Sequence, residues 1–201
     1  MTRILPIIIV ILLFAGCSSS SPSPKIYTLN SLVLPGQIET STSKDGTTVV
    51  GIGPVEIPDY LDKPQIVTRT PANELSLSEF HLWGGSLKTD VTRVLIEDIS
   101  SLLGSEPFTV VLWRAHVPGS YRVPISILRF DAVPDGSISL RAKWGIVAKD
   151  GKTVVSISES FKTKPVKGKE YKDIISAMSD TLADLSKEIA SAIKVAVKKV
   201  N

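Results

Sequence analysis

Side chains that carry chemistry are scarce in this sequence of 201 residues, which contains one cysteine and two histidines. One cysteine excludes a disulfide within the chain, and two isolated histidines, His81 and His116, do not supply the ligands of a closed zinc site. The sequence also lacks the H-E-x-x-H, C-x-x-C and G-x-S-x-G motifs and a glycine-rich phosphate loop. We therefore predict no catalytic residues, no bound metal and no cofactor.

The few candidate catalytic groups have simpler interpretations. His81 follows Phe80 in an apolar strand, and no acid or nucleophile is predicted beside it, which favours a hydrogen-bonded strand histidine over a general base. Glu97 and Asp98 are adjacent on a predicted helix, where neighbouring residues point in different directions, so we expect a solvated helix face. The sequence predicts a protein that binds and is not an enzyme.

An excess of charge of one sign is also missing. The chain has 23 Lys and Arg against 20 Asp and Glu. A nucleic-acid-binding domain would be strongly basic, so no nucleic-acid partner is expected. The length is sufficient for one well-formed core, and one domain is the default expectation.

The longest apolar run is too short to cross a bilayer, which takes roughly 20 apolar residues. It covers residues 4–16 (ILPIIIVILLFAG), directly after Arg3, and is typical of the h-region of a signal peptide. It leads into Phe14-Ala15-Gly16-Cys17, which resembles a bacterial lipobox, although leucine is the usual residue at the position of Phe14. We therefore predict a lipoprotein signal peptide over residues 1–16 and lipid attachment at Cys17.

The predicted anchor would hold the protein at a membrane. A thiol is nucleophilic enough to take a diacylglycerol as a thioether, and each buried acyl methylene contributes about 0.8 kcal/mol, so two or three chains anchor permanently. Residues 17–24 (CSSSSPSP) are predicted to be the lipidated cysteine and a short tether ahead of the domain 25–201. Because Ser18 and not aspartate follows the cysteine, we expect the inner leaflet of a Gram-negative outer membrane, facing the periplasm.

Apolar periodicity predicts short strands and two helices. Helical spacing covers 87–103 and 171–200. Strands are predicted over 25–34, 47–53, 66–69, 74–83, 108–113, 122–131, 138–149 and 153–161. Prolines make 54–64 a turn-rich crossing, the strands 66–69 and 74–83 form a hairpin, and Asp150-Gly151 forms a second hairpin turn. The simplest arrangement is one α+β domain, a mainly antiparallel sheet of about six to eight strands with two helices on one face.

The second predicted helix spans nearly 30 residues, with acids in its early turns and lysines in its late ones. This helix is longer than one small sheet needs in order to cover it. We therefore expect part of it to pack on another subunit.

Five lysines are crowded into the residues that lead into this helix: Lys162, Lys164, Lys167, Lys169 and Lys172. One interpretation is contact with anionic lipid headgroups, worth about 1 kcal/mol per lysine near a charged surface. The other is a solvated loop, which is favoured because charge runs are usually surface features.

Residues 51–69 (GIGPVEIPDYLDKPQIVTR), called the proline motif below, resemble the signature of PqiC-type lipoproteins, the auxiliary lipoprotein components of ABC-type transport systems. The resemblance continues through Trp83, the helix from Leu87 and the strand at 128–131, and covers nearly all of the mature chain. It implies a non-catalytic subunit beside MCE-type proteins, which form periplasmic lipid conduits. It further implies docking of such a conduit at the outer membrane, phospholipid as a ligand, and a homo-oligomeric ring.

The proline motif permits two interpretations. In the first, the prolines hold a low-entropy exposed loop that a partner grips. The residues of this expected partner-binding surface are Pro54, Pro58, Tyr60, Leu61, Asp62, Pro64 and Gln65. In the second, the segment is a rigid crossover whose Tyr60 and Leu61 cap the core. A different function, a stand-alone envelope-integrity lipoprotein that binds peptidoglycan or outer-membrane assembly proteins, also remains open.

Overall fold

The computed structural model of the protein describes residues 22–32, 47–71, 74–104, 107–113, 120–133 and 135–200. The predicted signal peptide, Cys17 and His116 lie outside these residues. Among the described residues, no helix is both long and apolar enough to span a bilayer.

Eight strands and two helices are found in the described residues. The strands are β1 (Lys25–Tyr27), β2 (Thr48–Glu56), β3 (Gln65–Arg69), β4 (Leu75–Trp83), β5 (Phe108–Leu112), β6 (Tyr121–Val133), β7 (Ser137–Val147) and β8 (Val154–Pro165). The helices are α1 (Leu87–Leu103) and α2 (Tyr171–Val200). Both helices match their predicted bounds, because each carries a continuous apolar stripe at helical spacing.

The described strands form one mixed sheet. The pairs β3–β4, β6–β7 and β7–β8 are antiparallel. The pairs β1–β4, β2–β5, β2–β6 and β3–β6 are parallel. The α+β class in a single domain is confirmed, but the prediction of a mainly antiparallel sheet is wrong. Hairpins produce antiparallel neighbours, whereas the crossover through α1 brings β5 back parallel to β2.

Strand β6 is the centre of the sheet. One of its edges pairs with β7 along most of its length. Its other edge pairs first with β2, up to Glu56 opposite Ser126, and then with β3, at Thr68 opposite Ala132. The turn at 57–64 therefore lies where β2 leaves the central strand and β3 takes its place.

Both helices cover the same face of the sheet, since they contact each other as well as the strands. Helix α1 packs on β2 and β5, and α2 packs on β6, β7 and β8. Along β7, Ile138, Leu140 and Ala142 are buried towards the helices, while Arg141 and Lys143 point to the opposite, exposed side. This alternation is the predicted half-buried strand pattern.

Helix α2 is covered by its own chain for almost its full length. Buried apolar residues continue from Ile175 through Leu185 and Ile193 to Val197. Helix α1 and the strands β6, β7 and β8 provide this cover, and packing of part of the helix on another subunit stays a prediction. Homo-oligomer formation stays a prediction that the helix length does not support.

Strand β1 is shorter than predicted and ends at Tyr27. Beyond it, the backbone N–H groups of Leu29 and Leu32 donate to the carboxylates of Asp90 and Asp98 on α1, at 2.6 and 2.7 Å. These bonds hold the segment against the helix and away from the sheet. Asp98 is consequently 0% exposed, so the predicted solvated helix face is wrong at this residue.

Strand β2 is longer than predicted, because it continues through Pro54 to Glu56. The Gly53–Pro54 peptide bond is cis, and the register with β6 shifts between Ile52 and Val55. A strand can include a proline at such an irregularity, since no ladder hydrogen bond is needed there. The predicted turn-rich crossing is thus limited to the residues after Glu56.

The two predicted hairpins are both present. Strands β3 and β4 pair antiparallel, as do β7 and β8, and Gly151 has a positive φ of 70° in the second turn. Strand β8 extends to Pro165, past the predicted end at 161. Its later residues alternate towards α2, and Lys162 and Lys164 reach the acids of that helix.

Candidate functional site

The proline motif runs through two strands of the sheet and the turn between them. It begins in β2, passes through the turn at 57–64 and ends in β3. Because this turn lies beside the stretch of β6 that pairs with neither strand, its side chains meet those of the central strand. Asp131 on β6 is the residue they meet.

The carboxylate of Asp131 is 0% exposed and has three donors around it, a group called the Asp131 cluster below. Arg69 Nη2 donates to Oδ2 at 2.9 Å, and Arg129 Nε donates to Oδ1 at 2.8 Å. The Tyr60 hydroxyl also donates to Oδ2, at 3.1 Å. Charge-assisted bonds of this kind are among the stronger ones in proteins, and those of the cluster fix the turn and the C-terminal end of the motif to the central strand.

The Tyr60 hydroxyl and the Arg69 guanidinium of the cluster both stay protonated. Burial raises the pKa of the Tyr60 hydroxyl, and the nearby Asp131 charge raises it further. The hydrogen bond to Asp131 raises the pKa of the Arg69 guanidinium, which lies 5.7 Å from the centre of the Tyr60 ring. Tyr60 therefore remains a donor and Arg69 a cation at neutral pH, as a structural clamp requires and a proton-transfer site does not.

The remaining motif residues divide between the core and the surface. Leu61 is 2% exposed, and its N–H donates to the Pro58 carbonyl at 2.9 Å. Asp62 accepts a 3.2 Å bond from the Ser86 hydroxyl ahead of α1, and the Pro64 carbonyl accepts from Trp83 N–H at 2.7 Å. The turn is thus fastened to α1 and β4 as well as to β6.

Burial favours the core-capping interpretation for Tyr60 and Leu61, since Leu61 is in the core and Tyr60 packs against it. The exposed members are Pro54, Asp62 and Pro64, while Pro58 and Gln65 are half-buried. A partner could reach the exposed members without moving the turn. Partner binding at the motif stays a prediction.

Sequence reasoning did not single out Asp131, Arg69 or Arg129. One signal was present, because Arg129 and Asp131 are two residues apart in a strand and therefore share a face. The partners Tyr60 and Arg69 are 71 and 62 residues away, and no local pattern connects them to Asp131.

The five crowded lysines do not form one charged surface. Lys162 and Lys164 pair with Glu188 and Asp184 of α2, at 2.6 and 2.7 Å, and Lys172 pairs with Glu170 at 2.9 Å. Lys167 and Lys169 are exposed, and neither pairs with an acid in the part of the chain that the structure describes. Three lysines thus have protein partners, and contact of the cluster with anionic lipid stays a prediction.

His81 is a hydrogen-bonded strand residue, as predicted. Its Nδ1 lies 2.9 Å from the Ser78 hydroxyl oxygen. Its ring stacks on that of Tyr171, with 3.9 Å between centroids, and more distantly on that of Tyr27 at 5.8 Å. The stack joins β1, β4 and the start of α2, which is a packing role.

No group of three or more His, Cys, Asp or Glu residues that could hold a metal occurs within the described ranges. The absence of enzymatic activity stays a prediction. The Asp131 cluster fixes a surface turn to the sheet, and the protein is a single α+β domain that carries this ordered surface motif.

The chain belongs to the family of ABC-type transport auxiliary lipoprotein components, whose profile matches residues 27–190. The resemblance to PqiC-type lipoproteins is thereby confirmed. The intermembrane transport lipoprotein PqiC of Escherichia coli (strain K12) is 22% identical over 181 residues, which is 90% of this chain and 91% of the relative. The protein of the same name from Shigella flexneri is similar to the same extent.

Two solved structures share the fold. A crystal structure of an uncharacterized protein superposes with a TM-score of 0.72 at 16% identity, over 86% of this chain and 99% of that one. A protein from Xanthomonas campestris superposes with a TM-score of 0.67 at 14% identity, over 87% and 98% of the two chains. At these identities the likeness concerns the fold alone.

Proposed function

We propose that this chain is a non-catalytic, lipid-anchored subunit of an MCE/ABC-type system that transports phospholipid between membranes. Cys17 would carry the lipid and hold the domain at the inner leaflet of the outer membrane, where it docks the conduit. The family match over residues 27–190 carries this proposal. The Escherichia coli relative is an intermembrane transport lipoprotein, which supports the same proposal.

The structure supports a binding role through the rigidity of the proline motif. The Asp131 cluster holds the turn from one side, and Ser86 and Trp83 hold it from the other. A surface that is ordered before binding loses less conformational entropy when a partner arrives. Pro54, Asp62, Pro64 and the half-buried Gln65 are the motif residues that we propose for contact with the MCE-type protein.

The membrane is the second proposed contact. Lys167 and Lys169 are exposed and carry no described acidic partner, so they are the members of the lysine cluster best placed to contact anionic headgroups. Lys162 and Lys164 contribute less in this proposal, because acids of α2 neutralise them.

Several copies of the chain are proposed to assemble around one conduit. Mass photometry of the full-length lipidated protein in detergent tests this part. A particle of monomer mass at all protein concentrations would contradict it.

Recovery of partners from membranes tests the proposed function. The full chain, tagged at its C-terminus and expressed at its natural level, is cross-linked and purified, and the MCE-type protein of the same organism is quantified. We expect its enrichment, together with incorporation of radiolabelled fatty acid. The variant Cys17→Ala should lose the fatty acid and leave the membrane fraction, since its thioether cannot form.

Two outcomes would contradict the proposal. Retention of the label by Cys17→Ala would refute the site of the anchor. Enrichment of peptidoglycan or of outer-membrane assembly proteins, with no MCE-type protein, would favour the stand-alone envelope-integrity lipoprotein.

A further inference from the structure

The face of the sheet opposite the two helices, called the outer face below, exposes large apolar side chains along β8. Ile157 is 77% exposed, Phe161 67% and Val154 54%. Phe161 lies under the Arg141 guanidinium, 5.2 Å from its carbon to the ring centre. Grouped apolar exposure of this kind commonly marks an interaction surface in a soluble domain.

An open groove of about 420 Å³ adjoins these residues on the outer face. Its lining includes Pro54 of β2, Pro124 of β6, Gly145 of β7, and Val154 and Ile157 of β8. Gly145 is opposite Ile157 in the strand register, and a Cβ at this position would lie only 3.0 Å from the Ser156 carbonyl oxygen. The groove therefore crosses four strands and is mainly apolar.

The charges beside the groove are mostly positive. Arg122 and Lys143 line it together with one acid, Glu56. Lys143 is exposed and pairs with no described acid, because its cross-strand neighbour Glu159 is bound to Arg141. The groove thus offers apolar contacts beside an uncompensated cation.

Arg122 adds a second reason to expect an acidic ligand. It lines the groove, and its guanidinium carbon lies 5.5 Å from the centre of the Trp113 ring. The guanidinium is a permanent cation, and a carboxylate is among the acceptors with which it pairs most strongly. Charge complementarity therefore points to an occupant that carries acids.

The groove reaches β8, the edge strand of the described sheet, and this edge favours a protein segment over a lipid as the occupant. In the described sheet β8 pairs only with β7, and it is 12 residues long. The unpaired N–H and C=O groups of such an edge can bind an extended chain, which a lipid cannot imitate. The exposed side chains of Ile157 and Phe161 lie along this same strand.

We propose that the outer-face groove binds an extended segment of the MCE-type partner, with apolar side chains against Pro54 and Ile157 and a carboxylate at Arg122 and Lys143. This inference rests on the proposed function and assigns the surface that performs it. It extends the contact from Pro54 and Glu56, which belong to the proline motif, to residues of β6, β7 and β8 that the motif does not include.

A binding assay with matched variants tests the groove. The full-length lipidated protein in detergent is immobilised, and the periplasmic region of the MCE-type protein of the same organism is the probe. Ile157→Asp and Lys143→Glu alter the groove. Val195→Asp, at a 54% exposed position of α2, and Lys88→Glu, at an exposed position of α1, are the controls.

We expect each groove variant to weaken binding by about tenfold or more and each control by less than about twofold, since contacts at the centre of an interface dominate affinity. Thermal unfolding of all four variants should match the unsubstituted protein, because the substituted side chains are exposed. Added salt should weaken binding of the unsubstituted protein more than binding of Lys143→Glu.

Three results would overturn the inference, and they are distinguishable. If the unsubstituted protein binds and the groove variants bind equally well, the groove is not the docking surface and the proposed function stands. If the unsubstituted protein does not bind, the proposed function fails and the inference fails with it. If Lys143→Glu loses binding to phosphatidylglycerol vesicles and keeps binding to the MCE-type probe, the groove is a lipid site.

Discussion

The hydroxyl of Tyr60 donates a 3.1 Å hydrogen bond to Asp131 Oδ2, across 71 residues of sequence. This bond joins the turn of the proline motif to the central strand at the place where one neighbouring strand is replaced by another. The same carboxylate oxygen accepts a hydrogen bond from Arg69, the last residue of β3. One buried acid thus positions both the turn and the end of β3.

Replacement of Asp131 by alanine should destabilise the protein by about 3 kcal/mol. Loss of one partner of a largely buried charge cluster leaves the others desolvated and unpaired, here Arg69 and Arg129. Urea unfolding followed by circular dichroism measures the change. Arg141→Ala, which breaks the more exposed pair with Glu159, is the control and should cost less than about 1 kcal/mol. Equal losses for the two variants would show that the Asp131 cluster is not a clamp.

Gly51, in the proline motif, should not accept a side chain. A Cβ at this position would overlap the ring of Trp113, whose centre lies 5.5 Å from the guanidinium carbon of Arg122. We expect Gly51→Ala to cost about 1–3 kcal/mol, the usual range for overpacking. Gly85→Ala is the matched control, because nothing lies within 4 Å of the position that the added Cβ would take. A shift in the fluorescence of Trp113 should accompany the loss of stability, and unchanged stability would refute the proposed overlap.

Local patterns predicted the helices and the hairpins. The apolar spacing from Leu87 to Leu103 gave α1 its bounds, and Asp150-Gly151 marked the turn between β7 and β8, because these features depend on residues close in sequence. The four parallel pairings were missed, since they depend on how the crossovers at 57–64 and through α1 return the chain. No local pattern determines that direction.

The candidate site was predicted in part. The proline motif was recognised from its residues, but the acid that anchors it, Asp131, was not, because its partners are distant in sequence. Asp98 was misassigned although a signal existed: it is three residues after Leu95 and four after Val94, on the apolar stripe of α1. Its burial depends on the backbone of Leu32, which only the folded chain brings there.

The turn between β7 and β8 should show an acid-dependent loss of stability. Asp150 Oδ1 accepts from the N–H groups of Lys152 and Thr153, both at 2.9 Å, and its pKa is lowered to about 2, chiefly by the Thr153 hydroxyl. Because the pKa is lowered, the stability that the Asp150 carboxylate contributes is complete at pH values above the ordinary pKa of an aspartate. It is lost as the pH falls through about 2.

Asp150→Ala should therefore lower the urea midpoint at pH 7, and the difference from the unsubstituted protein should shrink between pH 4 and pH 2. Asp150→Asn retains an acceptor without the charge and should fall between the two. A difference that is independent of pH would contradict the role of the carboxylate.

The buried carboxylate of Asp98 should have the opposite pH dependence. Burial raises its pKa, although the backbone bond from Leu32 and the hydroxyl of Ser186 oppose the rise. The folded chain therefore holds this proton more tightly than the unfolded chain. The stability that protonated Asp98 contributes is complete at pH values below the pKa of the unfolded chain. It is lost as the pH rises through the raised pKa of the folded chain.

Asp98→Asn removes the charge and keeps an acceptor for Leu32. We expect this variant to be more stable than the unsubstituted protein at pH 7, with a difference that shrinks as the pH is lowered towards 4, measured by urea unfolding across that range. Glu97→Gln, on the neighbouring partly exposed position, controls for the loss of one negative charge and should not gain stability, because it breaks the pair with Arg93. Lower stability of Asp98→Asn at pH 7 would mean that the strength of the carboxylate as an acceptor outweighs the cost of its burial, and that Asp98 fastens residues 28–32 to α1 as a charged group.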